Sequence, residues 1–115
     1  MMVMGEMIIS VLSVPDFTLG VATVTLNPSL IEDLAQKGMY LPKYITGGLL
    51  IHNITEDSVA QMNGLQPGDV IFEVEGKPIK DLPQFLKMLS MKGKLRVRIY
   101  RSGGVFNVIL VARRR

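Results

Sequence analysis

The sequence predicts an α+β fold in which β-structure dominates: a small, partly open β-barrel of five to six strands capped by two helices. Three observations lead there. Gly64-Leu65-Gln66-Pro67-Gly68-Asp69 runs straight into the apolar stretch Val70–Val74. Gly64 can close a short helix in a left-handed conformation, Pro67-Gly68 form a turn, and the apolar run starts a strand. Lys94–Arg101 alternates cleanly between apolar and polar residues, and Val105–Ala112 returns across Ser102-Gly103-Gly104, which reads as a β-hairpin. Two segments open as helices, at Asn27-Pro28 and at Asp81-Leu82-Pro83.

Taken in order, Val14-Pro15-Asp16 marks a boundary, because proline disfavours regular structure on either side. Residues 1–16 are expected to be a leader or linker, 17–112 the folded domain and 113–115 a basic tail. Leu19–Leu26 is rich in β-branched residues and reads as a strand with Val21, Thr23 and Thr25 on one face. A helix is expected from about Pro28 to Lys37, ended by Gly38. Met39–Thr46 reads as a loop, and Gly47-Gly48 lead into a compact apolar strand over Leu49–Ile54. A short helix over Ser58–Asn63 follows, capped by Asp57 or Ser58, with Val59 and Met62 expected on its buried side. After a turn at Glu75-Gly76, Asp81 caps the next helix, where Leu82, Phe85, Leu86 and Leu89 recur at helical spacing. In the last hairpin, Leu95, Val97 and Ile99 point inward while Arg96, Arg98 and Tyr100 point outward.

Composition narrows the function classes. The chain has 115 residues, 48% of them hydrophobic, which suits one domain able to bury a core without metal or disulfide support. With no Cys, thiol catalysis, disulfides and Cys-based zinc sites are excluded. A formal charge of +3, with acidic residues spread among the basic ones, does not imply nucleic-acid binding. The apolar stretch Met7–Val14 is too short to span a bilayer, and Met1–Val14 lacks the basic start and clear cleavage site of a secretory signal. The single His, His52, lies in a strand pattern with no acidic pair at metal-ligand spacing, so it is assigned no role. Neither Gly76-Lys77 nor Gly93-Lys94 has the upstream glycine of a phosphate loop, so no cofactor is expected. Lys94, Arg96, Arg98 and Arg101 form a basic stripe continued by Arg113-Arg114-Arg115, which reads as a solvated face rather than a nucleic-acid or membrane contact.

The stretch Gly64–Lys77 resembles the signature of PDZ domains, and the chain from about Thr18 to Ala112 is similar to the PDZ domain of HtrA-type serine proteases, including the mitochondrial animal member. Thr18-Leu19-Gly20-Val21 resembles that family's carboxylate-binding loop. Leu26-Asn27-Pro28-Ser29-Leu30 and Gly48-Leu49-Leu50-Ile51-His52 are similar to the corresponding segments of the animal enzymes. The element order resembles the family's circularly permuted arrangement, with the binding strand first and the closing strand last.

The resemblance implies a non-catalytic peptide-recognition module that takes C-terminal or extended peptides by β-strand addition. The implied binding residues are Thr18, Leu19, Gly20, Val21, Ala22 and Thr23 on the loop and first strand, with Leu82, Leu86 and Leu89 on the facing helix. It further implies a parent protease, substrate delivery or relief of inhibition, and a trimeric assembly; mitochondrial placement follows from the resemblance alone. The chain has one His and no room for a double-barrel protease beside this domain, and Ser102-Gly103-Gly104 reads as a hairpin turn rather than a nucleophile motif. Two other readings stand beside this one: a structural lid over the protease with little independent peptide affinity, and a basic adaptor for membranes or nucleic acid. Thr18 stands where the family often has an aromatic residue, Asp16 where basic residues are common, and Glu75 where Asn often precedes the turn glycine.

Overall fold

A computed structural model describes residues 13–14 and 17–111. The expectations for Met1–Leu12, Ala112 and Arg113–Arg115 lie outside the described residues. A short hairpin pairs β1 (Ser13–Val14) with β2 (Phe17–Thr18). The main sheet contains β3 (Val21–Leu26), β4 (Gly48–Ile54), β5 (Val70–Val74), β6 (Lys77–Pro78), β7 (Lys94–Arg101) and β8 (Gly104–Val111). Its order is β3-β4-β5-β7-β8, with β6 paired to β5 and every pairing antiparallel. The sheet is therefore open, with β3 and β8 as its two edges. The six strands and mostly-β character match the expected class, while the first long strand starts at Val21 rather than Leu19.

Each helix begins where its cap places it. Asn27 Oδ1 accepts from the Leu30 N–H at 2.8 Å and starts α1 (Pro28–Gln36). Ser58 Oγ accepts from the Gln61 N–H at 3.1 Å and starts α2 (Val59–Met62). Asp81 Oδ1 accepts from the Gln84 N–H at 2.9 Å and starts α3 (Leu82–Lys92), which Gly93 ends at φ 72°. Each cap satisfies an amide that the first helical turn leaves without a partner.

The sheet buries both faces. On the inner face, α2 and α3 pack Val59, Ala60, Leu82, Phe85, Leu86 and Leu89 against residues of all the long strands, including Val21, Ile51, Ile71, Val97 and Leu110. On the outer face, α1 and the loop after it lay Leu30, Ile31, Leu34 and Ile45 over Leu26, Val70 and Phe72. Leu82, Phe85, Leu86 and Leu89 are all buried, as their spacing predicts. Met62 corrects the expectation for α2: it is exposed, and Ala60 takes the buried place beside Val59. A helix this short turns only one patch inward, and Val59-Ala60 fill it.

The signature segment is held by a charge pair that no local pattern announces. Asp69 is buried, and Arg101 grips both its oxygens, Nε to Oδ1 at 2.8 Å and Nη2 to Oδ2 at 2.7 Å. Arg101 also donates to the Gly64 carbonyl at 2.8 Å, and Asp69 Oδ2 accepts from the Gln66 N–H. The turn from Gly64 to Asp69 is thus anchored to the end of β7. Donating to the Asp69 carboxylate, together with its charge, holds the Arg101 guanidinium above its ordinary pKa, against the opposing effect of partial burial.

Candidate functional site

The site begins with the direction of two peptide groups. The Leu19 carbonyl accepts from the Ala60 N–H at 3.0 Å, and the Gly20 carbonyl accepts from the Thr55 N–H at 2.9 Å. Among the described residues no peptide is cis, and in a planar trans peptide the N–H points opposite to its carbonyl. The N–H groups of Gly20 and Val21 therefore both face away from α2 and β4, toward the open side of β3. Two adjacent amides aimed at one region form a concavity suited to an anion.

Gly20 makes that direction possible. Its φ is +76°, and a Cβ placed there would lie 2.3 Å from Ser58 Cβ. The glycine is required by its left-handed conformation and by the α2 cap behind it, so the obstruction it removes is on the inside of the turn. Ser58, Thr55 and Ala60 brace the loop from behind, and the sequence offered only their place beside the Gly64–Lys77 signature as a hint.

Beyond the loop, β3 is an edge of the main sheet among the described residues. Its ladder to β4 pairs Ala22 with Asn53, and the Thr55–Gly20 bond extends the same register. Val21, lying between these hydrogen-bonded positions, turns its own N–H and carbonyl to the edge that carries no strand among the described residues. The register then shifts between Ala22 and Thr23, placing exposed His52 at a bulge in β4.

The expected site residues separate by what they present. Leu19, Val21, Leu82, Leu86 and Leu89 join one apolar cluster on the inner face, so the loop, β3 and α3 meet there. Leu82 and Leu86 lie on one face of α3, at 8% and 5% exposure, while Leu89 at 2% sits deeper. Thr23 is buried on the same side of the strand as Val21. Ala22 turns its side chain to the other face and its backbone to Asn53, so it acts as a spacer. Thr18 belongs to β2, next to the loop. Among the described residues no group of three or more His, Cys, Asp or Glu is arranged to hold a metal, and no helix is long and apolar enough to cross a membrane.

An open antiparallel sheet with a glycine-turned amide loop, a bare edge strand and an apolar helix beside it is the arrangement of a PDZ domain, and the PDZ-domain family profile matches residues 50–101. The chain carries a PDZ domain similar to those of HtrA-type serine proteases. It is 32% identical over 76 residues to the mitochondrial serine protease HTRA2 of Drosophila yakuba, covering 66% of this chain and 18% of that protein. The HtrA3 PDZ domain, solved with a phage-derived ligand, shares the fold at a TM-score of 0.70 and 22% identity, over 82% of this chain and 83% of that one. The HtrA-type protease AlgW, solved with a decapeptide, aligns at a TM-score of 0.63 and 27% identity, over 84% of this chain and 29% of that one. The chain thus spans about a fifth of the length of the curated relative it matches.

Proposed function

We propose that this domain binds the C-terminal segment of extended peptides by adding it to β3. The observation that carries the reading is the pair of amides, Gly20 and Val21, turned outward by the Ala60 and Thr55 bonds to the preceding carbonyls. They receive the terminal carboxylate; the outward N–H and carbonyl of Val21 on β3 pair with the peptide backbone. The last side chain of the peptide, an apolar one, enters between Leu19, Val21, Leu86 and Leu89, and Leu82 flanks the peptide further along. Thr23 lies along the same groove, and Thr18 adjoins its carboxylate end. That the HtrA3 PDZ domain and AlgW were each solved with a peptide ligand supports peptide binding as the role of the domain.

Within a longer HtrA-like protease, the groove serves as the peptide-reading element that delivers substrate or relieves inhibition, in a trimeric assembly. This part of the reading rests on the resemblance alone, and the chain itself is assigned no catalytic step. The test is a titration of the domain with C-terminal peptides as free acids and as amides. Hydrogen bonds to a charged acceptor are each worth about 1.5–3 kcal/mol, so amidation should weaken binding at least ~10-fold. Equal affinity for acid and amide would remove carboxylate capture, and no binding in either series would favour a structural role for the domain.

A further inference from the structure

The other edge of the sheet, β8, also carries no further strand among the described residues. Asn63 fixes the direction of its backbone: its side-chain Nδ2 donates to the Val111 carbonyl at 3.1 Å, and its Oδ1 accepts from the Val111 N–H at 3.2 Å. The backbone of Val111 therefore points away from β7. A second observation gives the same phase. The Arg96 N–H donates to Glu75 Oε2 and its carbonyl accepts from the Glu75 N–H, so Arg96 faces β5 and β6, and its partner Ile109 is not hydrogen-bonded to it. By alternation, Val105, Asn107 and Ile109 all turn their N–H and carbonyl groups outward. None of these groups has a partner among the described residues.

This edge lacks the devices that usually protect one. Between Gly104 and Val111 there is no Lys, no Pro and no register shift, and Phe106, Ile109 and Val111 are exposed at 47%, 44% and 49%. Its two faces differ. On the inner face, Phe106 continues the apolar row of Val108 and Leu110. On the outer face, Asn107, Ile109 and Val111 lie directly opposite Arg98, Arg96 and Lys94. Arg98 is engaged by Glu73 at 3.4 Å and lies over the Phe72 ring, whereas the Lys94 and Arg96 side chains are exposed and hold no anion among the described residues. The sequence continues the same charge with Arg113-Arg114-Arg115.

We infer that β8 is a second strand-addition site, taking an extended partner segment whose side chains alternate apolar and acidic. Strand pairing on the outward amides of Val105, Asn107 and Ile109 supplies the register. One face of the added strand then covers Phe106 and Val108, and the other presents its carboxylates toward Arg96 and Lys94 across two strand spacings, about 9.6 Å, a gap that long side chains from both strands close together over Ile109 and Val111. A second copy of this chain is disfavoured as occupant, because pairing β8 with itself would bring two basic stripes to the same face.

The test uses the whole chain and a ten-residue peptide alternating Val and Glu, acetylated and amidated so that it offers no terminal carboxylate. Backbone amide shifts should concentrate at Val105, Asn107 and Ile109, with affinity falling several-fold as salt rises. A Val–Lys peptide should bind at least tenfold more weakly. Asn107→Pro removes an outward-facing amide and no hydrogen bond of the β7–β8 ladder, and should abolish binding while the domain stays folded; Arg96→Glu, at an exposed position, should reverse the preference between the two peptides. Equal binding of both peptides, shifts confined to β3 and α3, full affinity in Asn107→Pro and Arg96→Glu, or self-association through β8 would each overturn the inference. The blocked terminus keeps this outcome separate from carboxylate capture at β3.

Discussion

The two edges of one sheet, β3 and β8, carry no further strand among the described residues, yet their surroundings differ. At β3 the adjoining loop is turned by Gly20 and locked from behind by α2, so two amides converge and α3 adds an apolar wall. At β8 the neighbouring turn is an ordinary hairpin, α2 meets only the end of the strand through Asn63 and Val111, and the selectivity must come from side-chain charge on β7. An edge strand alone supplies backbone pairing to any extended chain. What stands next to it determines whether the edge reads a chain end or a pattern along the chain.

The contrast is broken most directly at Gly20. Gly20→Val places a branched side chain in a left-handed conformation and against Ser58, where even a Cβ would lie at 2.3 Å. We expect a loss of roughly 3 kcal/mol or more in stability and loss of C-terminal peptide binding. Adding Ser58→Gly should return part of the stability, since it relieves the overlap and leaves the φ cost. Chemical denaturation and titration measure both. Full peptide affinity in the single variant would remove the loop from the site.

Leu86→Ala tests the wall. The side chain is 5% exposed within the inner core, so the substitution should cost about 2–4 kcal/mol and weaken binding of peptides with an apolar last residue. The blocked Val–Glu peptide should keep its affinity, because β8 does not use α3. Loss at both edges would mean that the two sites report on one global change rather than on separate surfaces.

Asn63→Ala removes the side-chain bonds to Val111 and the one to the Val59 carbonyl. The expected cost is about 1–2 kcal/mol, with faster hydrogen exchange localised at Val111. It also lengthens the bare part of β8 by one outward-facing residue. Binding of the blocked peptide should hold or improve, while binding at β3 should not move. Weaker binding at β8 would show that Asn63 positions the strand rather than merely closing its end.

Much of this architecture was legible in the residues because it is local. Asn27, Ser58 and Asp81 announce their helices, the leucines of α3 announce its buried face, and the alternation of Lys94–Arg101 announces β7. The paired partners of long sequence separation were not legible: nothing near Asp69 signals that Arg101 will hold it, and nothing in Leu49–Ile54 signals the bulge at His52. Met62 misled because spacing of three in a four-residue helix defines no stripe. At the proposed site, the resemblance pointed to Leu19–Val21, but the direction of the amides depends on which donors, Ala60 and Thr55, take the carbonyls. That is a tertiary fact. The basic stripe was read as solvated because a strand's charges acquire meaning only when its neighbour is seen to be an unprotected edge.

The smallest expected effect lies in the turn that joins β7 to β8. Ser102 and Gly103 have φ of 50° and 88°, the left-handed pair that a two-residue hairpin needs to match strand twist, and serine tolerates that conformation less well than asparagine. Ser102→Asn should therefore stabilise the domain by about 0.5 kcal/mol, raising its thermal midpoint by a few degrees. Glu75, at φ 54°, is a less favourable target although it has the same strain, because its carboxylate accepts the Arg96 N–H at 2.7 Å and offsets the cost. Stiffening the hairpin leaves both edges chemically unchanged, so affinity at β3 should not alter. Affinity at β8 should rise slightly if the edge must hold its register to receive a strand. A stabilised domain with unchanged binding at both edges would show that β8 is already held by its ladder to β7 and by Asn63, and that the turn contributes to folding alone.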